Sequence, residues 1–336
     1  QRVLQLNQAM AGLDLFAGPQ RPLHPEQNST FRLAPEPLFV DQEIVDLLSE
    51  LAEVFHAFYV AANRLYNRSV RGSVPGFYHE YLDQGKPETV LEYARLNRFR
   101  THVPVVIRPD VLITEQGLAV TELDSVPGGM GLLAFLMQQY SAMGFELVGG
   151  ADGIIRCFAA ALRELSPQIA DPFVVVTVSD ESNDYRGEME WLAQELTKAG
   201  LRTQVCHPRD LVFCQDRLML GGLKIDILYR FFELFDLKNI PQIDLILYAI
   251  RKEMVAVTPP LKHHLEEKLL FALLHHPVLF EVWREALGKS AMSRLQEVFP
   301  QTWIMDPRPL PPHAVIPDLK LDGLPVTDFR QLAQAS

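Results

Sequence analysis

The stretch from His102 to Gly131, HVPVVIRPDVLITEQGLAVTELDSVPGGMG, constrains the fold of this chain more than any other. Two apolar runs rich in Val and Ile, 103–113 and 118–126, flank the tripeptide Glu-Gln-Gly at 115–117. A three-residue loop that ends in glycine between such runs predicts a β-hairpin, with Gly117 in the left-handed conformation.

This loop determines which residues face each other across the hairpin. Thr114 would pair with Leu118, and the same register brings other residues together further from the loop. It puts Asp110 opposite Glu122 and Arg108 opposite Asp124. Because side chains two apart on a strand share a face, all four charged groups would lie on one face. The other face would carry a layer of core residues: Ile107, Val111, Ile113, Ala119 and Leu123.

The charged face has a composition that suits a metal ion and a phosphate. Carboxylates directly opposite each other repel unless a positive charge joins them. Three of them, fixed by paired strands, suit a hard divalent cation such as Mg²⁺, and Arg108 adds a fork for a phosphate oxygen. The alternative is a solvated polar face with no ligand, and a one-residue change of register would undo the arrangement.

At this point the sequence resembles a known family. Arg108–Asp110 is followed after eleven residues by Glu122–Asp124 and then by Pro127-Gly128-Gly129. This pattern is similar to the metal and phosphate strand pair of the circularly permuted ATP-grasp ligases, the relatives of glutathionylspermidine synthase. The family usually has Asn at the place of Asp124, so this chain carries one more negative charge there.

The resemblance implies both a fold and an activity. The fold would be mixed α/β (α+β), an ATP-grasp-like half with a small parallel-sheet unit and helical segments. Mg²⁺ and ATP would be the cofactors, with Asp110, Glu122 and Asp124 as metal ligands and Arg108 as the catalytic residue beside the transferred phosphoryl group. The reaction would join a small-molecule carboxylate to an amine through an acyl phosphate. The identities of acid and amine are left open.

A glycine turn follows the hairpin and leads into the helical stretch LLAFLMQQYSAM. Such a turn can present backbone N–H groups to an anion, which makes Gly128 and Gly129 cofactor-binding candidates. A purely structural turn is the alternative.

Residues 171–240 are predicted to form a small α/β unit. PFVVVTV is a continuous apolar run, typical of a strand buried on both faces. An amphipathic helix, the strand LRTQVCHP, a helix start or hairpin at DLVFCQDRLMLGG, and the strand KIDILYRFFEL follow. Strand–helix–strand at this spacing favours a parallel sheet, whose ligands collect beyond the carboxyl ends of its strands.

That edge supplies the substrate-binding candidates. The first group follows the first strand and comprises Ser179, Asp180, Glu181, Ser182 and Asn183; the second group is Tyr229 and Arg230, with Glu233 as a partner for the arginine. A solvated, helix-capping loop is the alternative interpretation of 180–184.

The rest of the chain divides into segments by composition. Residues 1–40 are predicted to be an irregular, Pro-rich arm, and 41–170 the ATP-grasp-like portion, opened by a long helix after Asp41. Residues 241–336 are predicted to be a helical segment with a Pro-rich tail. In the family such a tail leads to a lysine-bearing strand and a glycine-rich loop, which these 336 residues do not contain. The competing functions are therefore a non-catalytic substrate-binding module or degenerate homologue and, with less support, a metal-dependent hydrolase.

Composition narrows the class of protein and of partner. The net charge of −11 argues against nucleic acid or an anionic membrane as the main partner. No apolar run reaches the length of a membrane span. Three cysteines without a C-x-x-C pair suit a reducing compartment, so we expect a cytoplasmic protein. The oligomeric state is not constrained.

Overall fold

The structure, a computed structural model, describes residues 1–13, 15 and 32–334, and only the backbone of residues 333 and 334. It is mixed α/β, with 48% helix and 14% strand, which confirms the predicted class. The finer prediction, an ATP-grasp fold, stays a prediction. Residues 2–10, expected to be irregular, form a helix, so that part of the prediction is wrong. The arm prolines Pro19, Pro22 and Pro25 lie outside the described residues.

The α-helices are, in chain order, α1 (Arg2–Met10), α2 (Gln42–Val70), α3 (Phe77–Asp83), α4 (Glu88–Ala94), α5 (Met130–Ala142), α6 (Gly153–Glu164), α7 (Arg186–Lys198), α8 (Ile243–Arg251), α9 (Leu269–His275), α10 (Phe280–Val298) and α11 (Arg330–Gln334). α10 is interrupted at Gly288, which has a φ of +78°. The predicted long helix after Asp41 is α2. Within the described residues, none of these helices has the length and apolarity needed to cross a bilayer.

The strands are β1 (Arg108–Thr114), β2 (Gly117–Asp124), β3 (Val174–Val178), β4 (Thr203–Cys206), β5 (Val212–Cys214), β6 (Arg217–Leu220), β7 (Leu223–Lys224), β8 (Ile227–Phe231), β9 (Ala256–Thr258), β10 (Lys320–Leu321) and β11 (Leu324–Pro325). They form two hairpins, β1–β2 and β10–β11, a small antiparallel sheet β5-β6-β7, and a parallel sheet in the order β4-β3-β8-β9.

The chain folds as two compact units, each made of several stretches. Unit 1 comprises residues 1–48, 104–107 and 125–261, and unit 2 comprises 49–103, 108–124 and 262–336. Both units are discontinuous in sequence, in contrast to the consecutive segments expected from composition. The β1–β2 hairpin belongs to unit 2, whereas the glycine turn after it belongs to unit 1.

Unit 1 is built around the parallel sheet. Every residue of β3 is buried, because helices cover the sheet: α6 contributes Phe158 and Leu162, and α7 contributes Met189 and Leu192 to one hydrophobic core. The chain goes from β3 to β4 on one side and then returns to β8 on the other side. This order creates a switch point between β3 and β8, where ligands of such sheets usually bind.

One strand of this sheet was missed. Residues 241–336 were predicted to be a helical segment with a Pro-rich tail, but Ala256–Thr258 form β9, the edge strand beside β8. The segment is only three residues long, so it gives no periodic signal, and its pairing with β8 stabilises it. At 212–220 the hairpin alternative is correct, as β5 and β6 pair there.

Unit 2 is built around the long helix α2. Its side chain Phe58 stacks on Trp283 of α10 with ring centroids 5.3 Å apart. Phe299 meets Phe58 edge-on at 5.3 Å and stacks on Phe271 at 3.9 Å. Tyr59, also on α2, donates a hydrogen bond of 3.0 Å to the backbone oxygen of Leu123, so the helix supports the hairpin directly.

Candidate functional site

The predicted hairpin forms, but its loop and register differ from the prediction. Thr114 pairs with Gly117 rather than with Leu118, so the loop has two residues, and Gly117 has the expected positive φ, +117°. The register then changes between Asp110 and Val111. Val111 faces Val120, whereas Asp110 faces Glu122, which leaves Thr121 as the extra residue of a β-bulge.

The bulge restores the predicted pairs of charged residues. Asp110 lies opposite Glu122 and Arg108 lies opposite Asp124, as expected. The predicted core layer is largely wrong, however. Leu118, Val120 and Leu123 are the buried hairpin residues, whereas Ile113 is 58% exposed. Because one residue is skipped at the bulge, residues 118 and 120 can share a face with residue 123.

Arg108 joins two of the three acids on the charged face. Its Nε lies 3.1 Å from Asp110 Oδ1, and its Nη2 lies 3.2 Å from Asp124 Oδ2. The side chains are partly open to solvent, with exposed fractions of 41% for Arg108 and 45% for Asp110. The guanidinium thus supplies the positive charge that neighbouring carboxylates need.

The third acid has a different partner. Lys268, which directly precedes α9, places its Nζ 3.0 Å from Glu122 Oε2. No local sequence pattern connects Lys268 with a strand residue 146 positions earlier, so its place in the site could not be predicted. Exposed pairs of this kind are worth about 0–1 kcal/mol, so a stronger ligand can replace either member.

The ion pairs of the hairpin acids determine whether these acids could bind a metal ion. Within the described part of the chain, no three or more His, Cys, Asp or Glu side chains are placed to hold one. The donors on the hairpin are of the type that Mg²⁺ prefers, but their present partners are cationic side chains. A cation would therefore have to displace Arg108 and Lys268 from the acids, so the metal assignment stays a prediction.

The glycine turn contacts a carboxylate from within the protein. Gly129, with a φ of +84°, directly precedes α5, and its N–H donates to Glu188 Oε1 at 2.6 Å. The N–H of Leu132 donates to the other oxygen of the same carboxylate at 3.0 Å. Glu188 is fully buried on α7. The start of α5 thus binds an internal carboxylate, as the positive end of a helix favours, and the Gly129 N–H is not left for a phosphate.

Gly128 is required for packing. A Cβ at this position would lie 2.4 Å from Cε1 of Tyr185, a distance that no real contact allows. The structure gives this glycine a steric reason that needs no ligand. Its assignment as a cofactor-binding residue, like that of Gly129, remains untested.

The first group of substrate candidates follows β3 at the switch point. Ser179 is buried and its hydroxyl accepts from the Ser182 N–H at 3.4 Å, and Asn183 Oδ1 accepts from Arg186 Nε at 3.3 Å. Glu181 is exposed. These local bonds are those of a capping loop, the alternative considered above.

Asp180 has longer-range partners that the sequence did not reveal. Its carboxylate lies 3.0 Å from Nη2 of Arg209 and 3.1 Å from Nε2 of His207. Both follow β4, so the carboxyl ends of neighbouring parallel strands bring them together. This gives the edge a mixed-charge cluster around an exposed aspartate.

The second group is placed differently from the prediction. Tyr229 and Arg230 lie within β8, not after it, and both are fully buried. Tyr229 packs edge-on against Phe158 at 5.1 Å. Arg230 Nε donates to the Pro259 carbonyl at 3.3 Å, and its Nη1 donates to that of Phe232. Tyr229 and Arg230 are therefore surrounded as core residues are. The apolar run continues through Phe232, so the strand stays buried past both of them.

No protein-family model matches this sequence, and a search of curated proteins found no match. The resemblance to the permuted ATP-grasp ligases therefore rests on the hairpin residues and the Pro-Gly-Gly turn after them.

Proposed function

We propose that this chain acts as an ATP- and Mg²⁺-dependent ligase that joins a carboxylate to an amine through an acyl phosphate. One observation carries the proposal: a bulged hairpin puts Arg108 opposite Asp124 and Asp110 opposite Glu122. Their spacing is that of the family pattern, and their partial exposure leaves them within reach of a ligand.

The residues would divide the work as follows. Asp110, Glu122 and Asp124 would hold Mg²⁺, which when bound neutralises charge on the phosphates of ATP. Arg108 would release its contacts with the acids and donate to a phosphate oxygen, in the two-pronged geometry that guanidinium favours. Such catalysis consists of positioning and electrostatic stabilisation and needs no covalent nucleophile from the protein.

A thermal-shift measurement with Mg²⁺ and a non-hydrolysable ATP analogue tests the proposal. A ligand that binds only the folded state adds about 2.7 kcal/mol of stability at 100 times its Kd. We expect this stabilisation in the unchanged chain and in the loop variant Glu115→Gln, and its loss in Asp110→Asn with Glu122→Gln. Equal stabilisation of all three proteins, or of none, would contradict the proposal.

The second candidate is a non-catalytic module that binds a small molecule without nucleotide. It is favoured by the carboxylate of Glu188 at the start of α5, because that anion takes the N–H group expected to meet phosphate. It is favoured also by the pairing of Lys268 with Glu122. A folded chain that shows no response to Mg²⁺ and the analogue would support this module.

A further inference from the structure

A cavity of about 690 Å³ lies within unit 2, and none of the site residues discussed so far lines it. α3, α4 and the segment after residue 307 line it. Its polar lining includes Arg95 and Arg308, which come from stretches more than 200 positions apart. The fold thus brings two guanidiniums to one cavity.

Each guanidinium is held by an aspartate that also accepts a hydrogen bond from a tyrosine. On one side Arg95 contacts Asp83, and its Nε donates to the hydroxyl of Tyr66 at 3.2 Å. Tyr66 in turn donates to Asp83 at 2.7 Å, and Nε2 of His263 lies 2.8 Å from the same oxygen. Asp83 is therefore surrounded by donors, and these bonds keep its pKa below the usual range despite its burial.

The other side repeats the arrangement. Arg308 donates to Asp306 through Nε at 2.9 Å and through Nη2 at 2.7 Å, and Tyr81 donates to Asp306 at 2.8 Å. The Asp306 side chain is only 1% exposed, whereas that of Arg308 is 65% exposed. The aspartate anchors one side of the guanidinium, and the remainder of the group faces solvent.

Both arginines have N–H donors that the contacts described above do not use. Among the described residues, neither Arg95 nor Arg308 uses its Nη1 in a hydrogen bond or ion pair. Guanidiniums fixed by other contacts lose little entropy when they bind an oxyanion, so such sites are preorganised. The same cavity is lined by the carboxylates of Glu80 and Asp83, which disfavour a doubly charged phosphate, and by the apolar Leu91, Pro309 and Pro311.

We propose that this cavity binds a small molecule that has one carboxylate and an apolar body, with the carboxylate held by the Arg95 and Arg308 guanidiniums. The inference goes beyond the proposed function, since it uses none of the hairpin acids. The carboxylate takes the Nη1 donors and the apolar body covers the leucine and the prolines.

NMR titration of the ¹⁵N-labelled chain with benzoate, benzamide and phenyl phosphate tests the proposal. We expect benzoate to give saturable shifts at the cavity residues. Benzamide, with the same shape and no charge, should bind at least about tenfold more weakly, a loss of about 1.4 kcal/mol. Phenyl phosphate should bind no more tightly than benzoate.

Three variants separate the cavity from general surface charge. Arg308→Gln, at an exposed position, should weaken benzoate binding about tenfold, and Arg95→Gln should do the same where it folds. Arg284→Gln removes an exposed arginine whose contact is with Glu281 and should leave the affinity unchanged. Asp110→Asn with Glu122→Gln should also bind benzoate normally, which keeps this test independent of the ligase proposal.

Four results would overturn the inference. The first is the absence of benzoate-induced shifts at the cavity residues, and the second is equal affinity for benzoate and benzamide. The third is tighter binding of phenyl phosphate than of benzoate, and the fourth is unchanged benzoate affinity in Arg308→Gln.

Discussion

The acids of the β1–β2 hairpin and the carboxylate of Glu188 lie in opposite surroundings. Asp110 and Glu122 are partly exposed and contact partly exposed cationic side chains, Arg108 and Lys268. Glu188 is fully buried and accepts from backbone N–H groups at the start of a helix. Exposed ion pairs exchange partners at little cost, whereas a buried carboxylate must keep its donors. The hairpin is therefore the better place for a ligand, whereas the Gly129 N–H already has an internal acceptor.

The largest expected effect is at the buried carboxylate. Glu188→Gln puts an amide where the Gly129 and Leu132 N–H groups require two acceptor oxygens, and should lower the free energy of unfolding by about 3 kcal/mol. Glu190→Gln, on the same helix but exposed, is the matched control and should change it by less than about 0.5 kcal/mol. Chemical denaturation of both variants measures the difference. Similar values would mean that Glu188 is not the anion of the turn.

The next effect concerns the steric role of the turn. Gly128→Ala would force a methyl group against the ring of Tyr185. This overpacking should lower the free energy of unfolding by about 2 kcal/mol. Gly153→Ala is the control, because nothing lies within 4 Å of the added Cβ at that position. Thermal unfolding should separate the two. A neutral Gly128→Ala would reopen a ligand-related reason for this glycine.

A buried cation offers a third comparison with the exposed ones. Lys262 is 1% exposed, and burial lowers the pKa of its ammonium group to about 8. Because its pKa is higher in the unfolded chain, the unfolded chain binds more protons between the two values, and stability rises with pH there. Between pH 7 and pH 9 the unchanged protein should gain about 1 kcal/mol relative to Lys262→Met. Denaturation at the two pH values checks this, and parallel curves would contradict it.

The smallest effect on stability is expected at the hairpin itself. Lys268→Met removes an exposed pair and should change the free energy of unfolding by less than about 0.5 kcal/mol. The same change frees Glu122, so it should raise the affinity of the hairpin for Mn²⁺, a stand-in for Mg²⁺. Lys289→Met, an exposed lysine on α10, is the control for lost surface charge. If Lys268→Met binds Mn²⁺ no more tightly than the unchanged protein does, the lysine does not compete with a cation.

The hairpin shows how far sequence reasoning reaches. Two apolar runs around a glycine-ended loop predicted two strands, and pairing outward from that loop predicted the opposition of Asp110 to Glu122, which the structure confirms. The predicted loop is one residue too long, and the pairs survive because the bulge at Thr121 compensates. The spacing of Leu118, Val120 and Leu123 was a signal for that bulge, since strict alternation cannot bury all three.

Other features depend on distant parts of the chain. Glu188 occurs in an amphipathic helix, where a carboxylate normally faces solvent, so its burial could not be foreseen. Lys268 and the residues around Asp83 reach their partners through tertiary packing, which local patterns do not encode. Arg230 is a charged residue within an apolar run, and backbone carbonyls are among its partners.

Paramagnetic broadening by Mn²⁺ tests most directly whether the hairpin acids form a cation site. Titration of the ¹⁵N-labelled chain should selectively broaden the amide signals of residues 108–124, and excess Mg²⁺ should restore them. Asp110→Asn with Glu122→Gln should abolish the selective broadening. Signals of the hairpin that broaden no more than those of other exposed acidic segments, or that broaden equally in the double variant, would contradict the account.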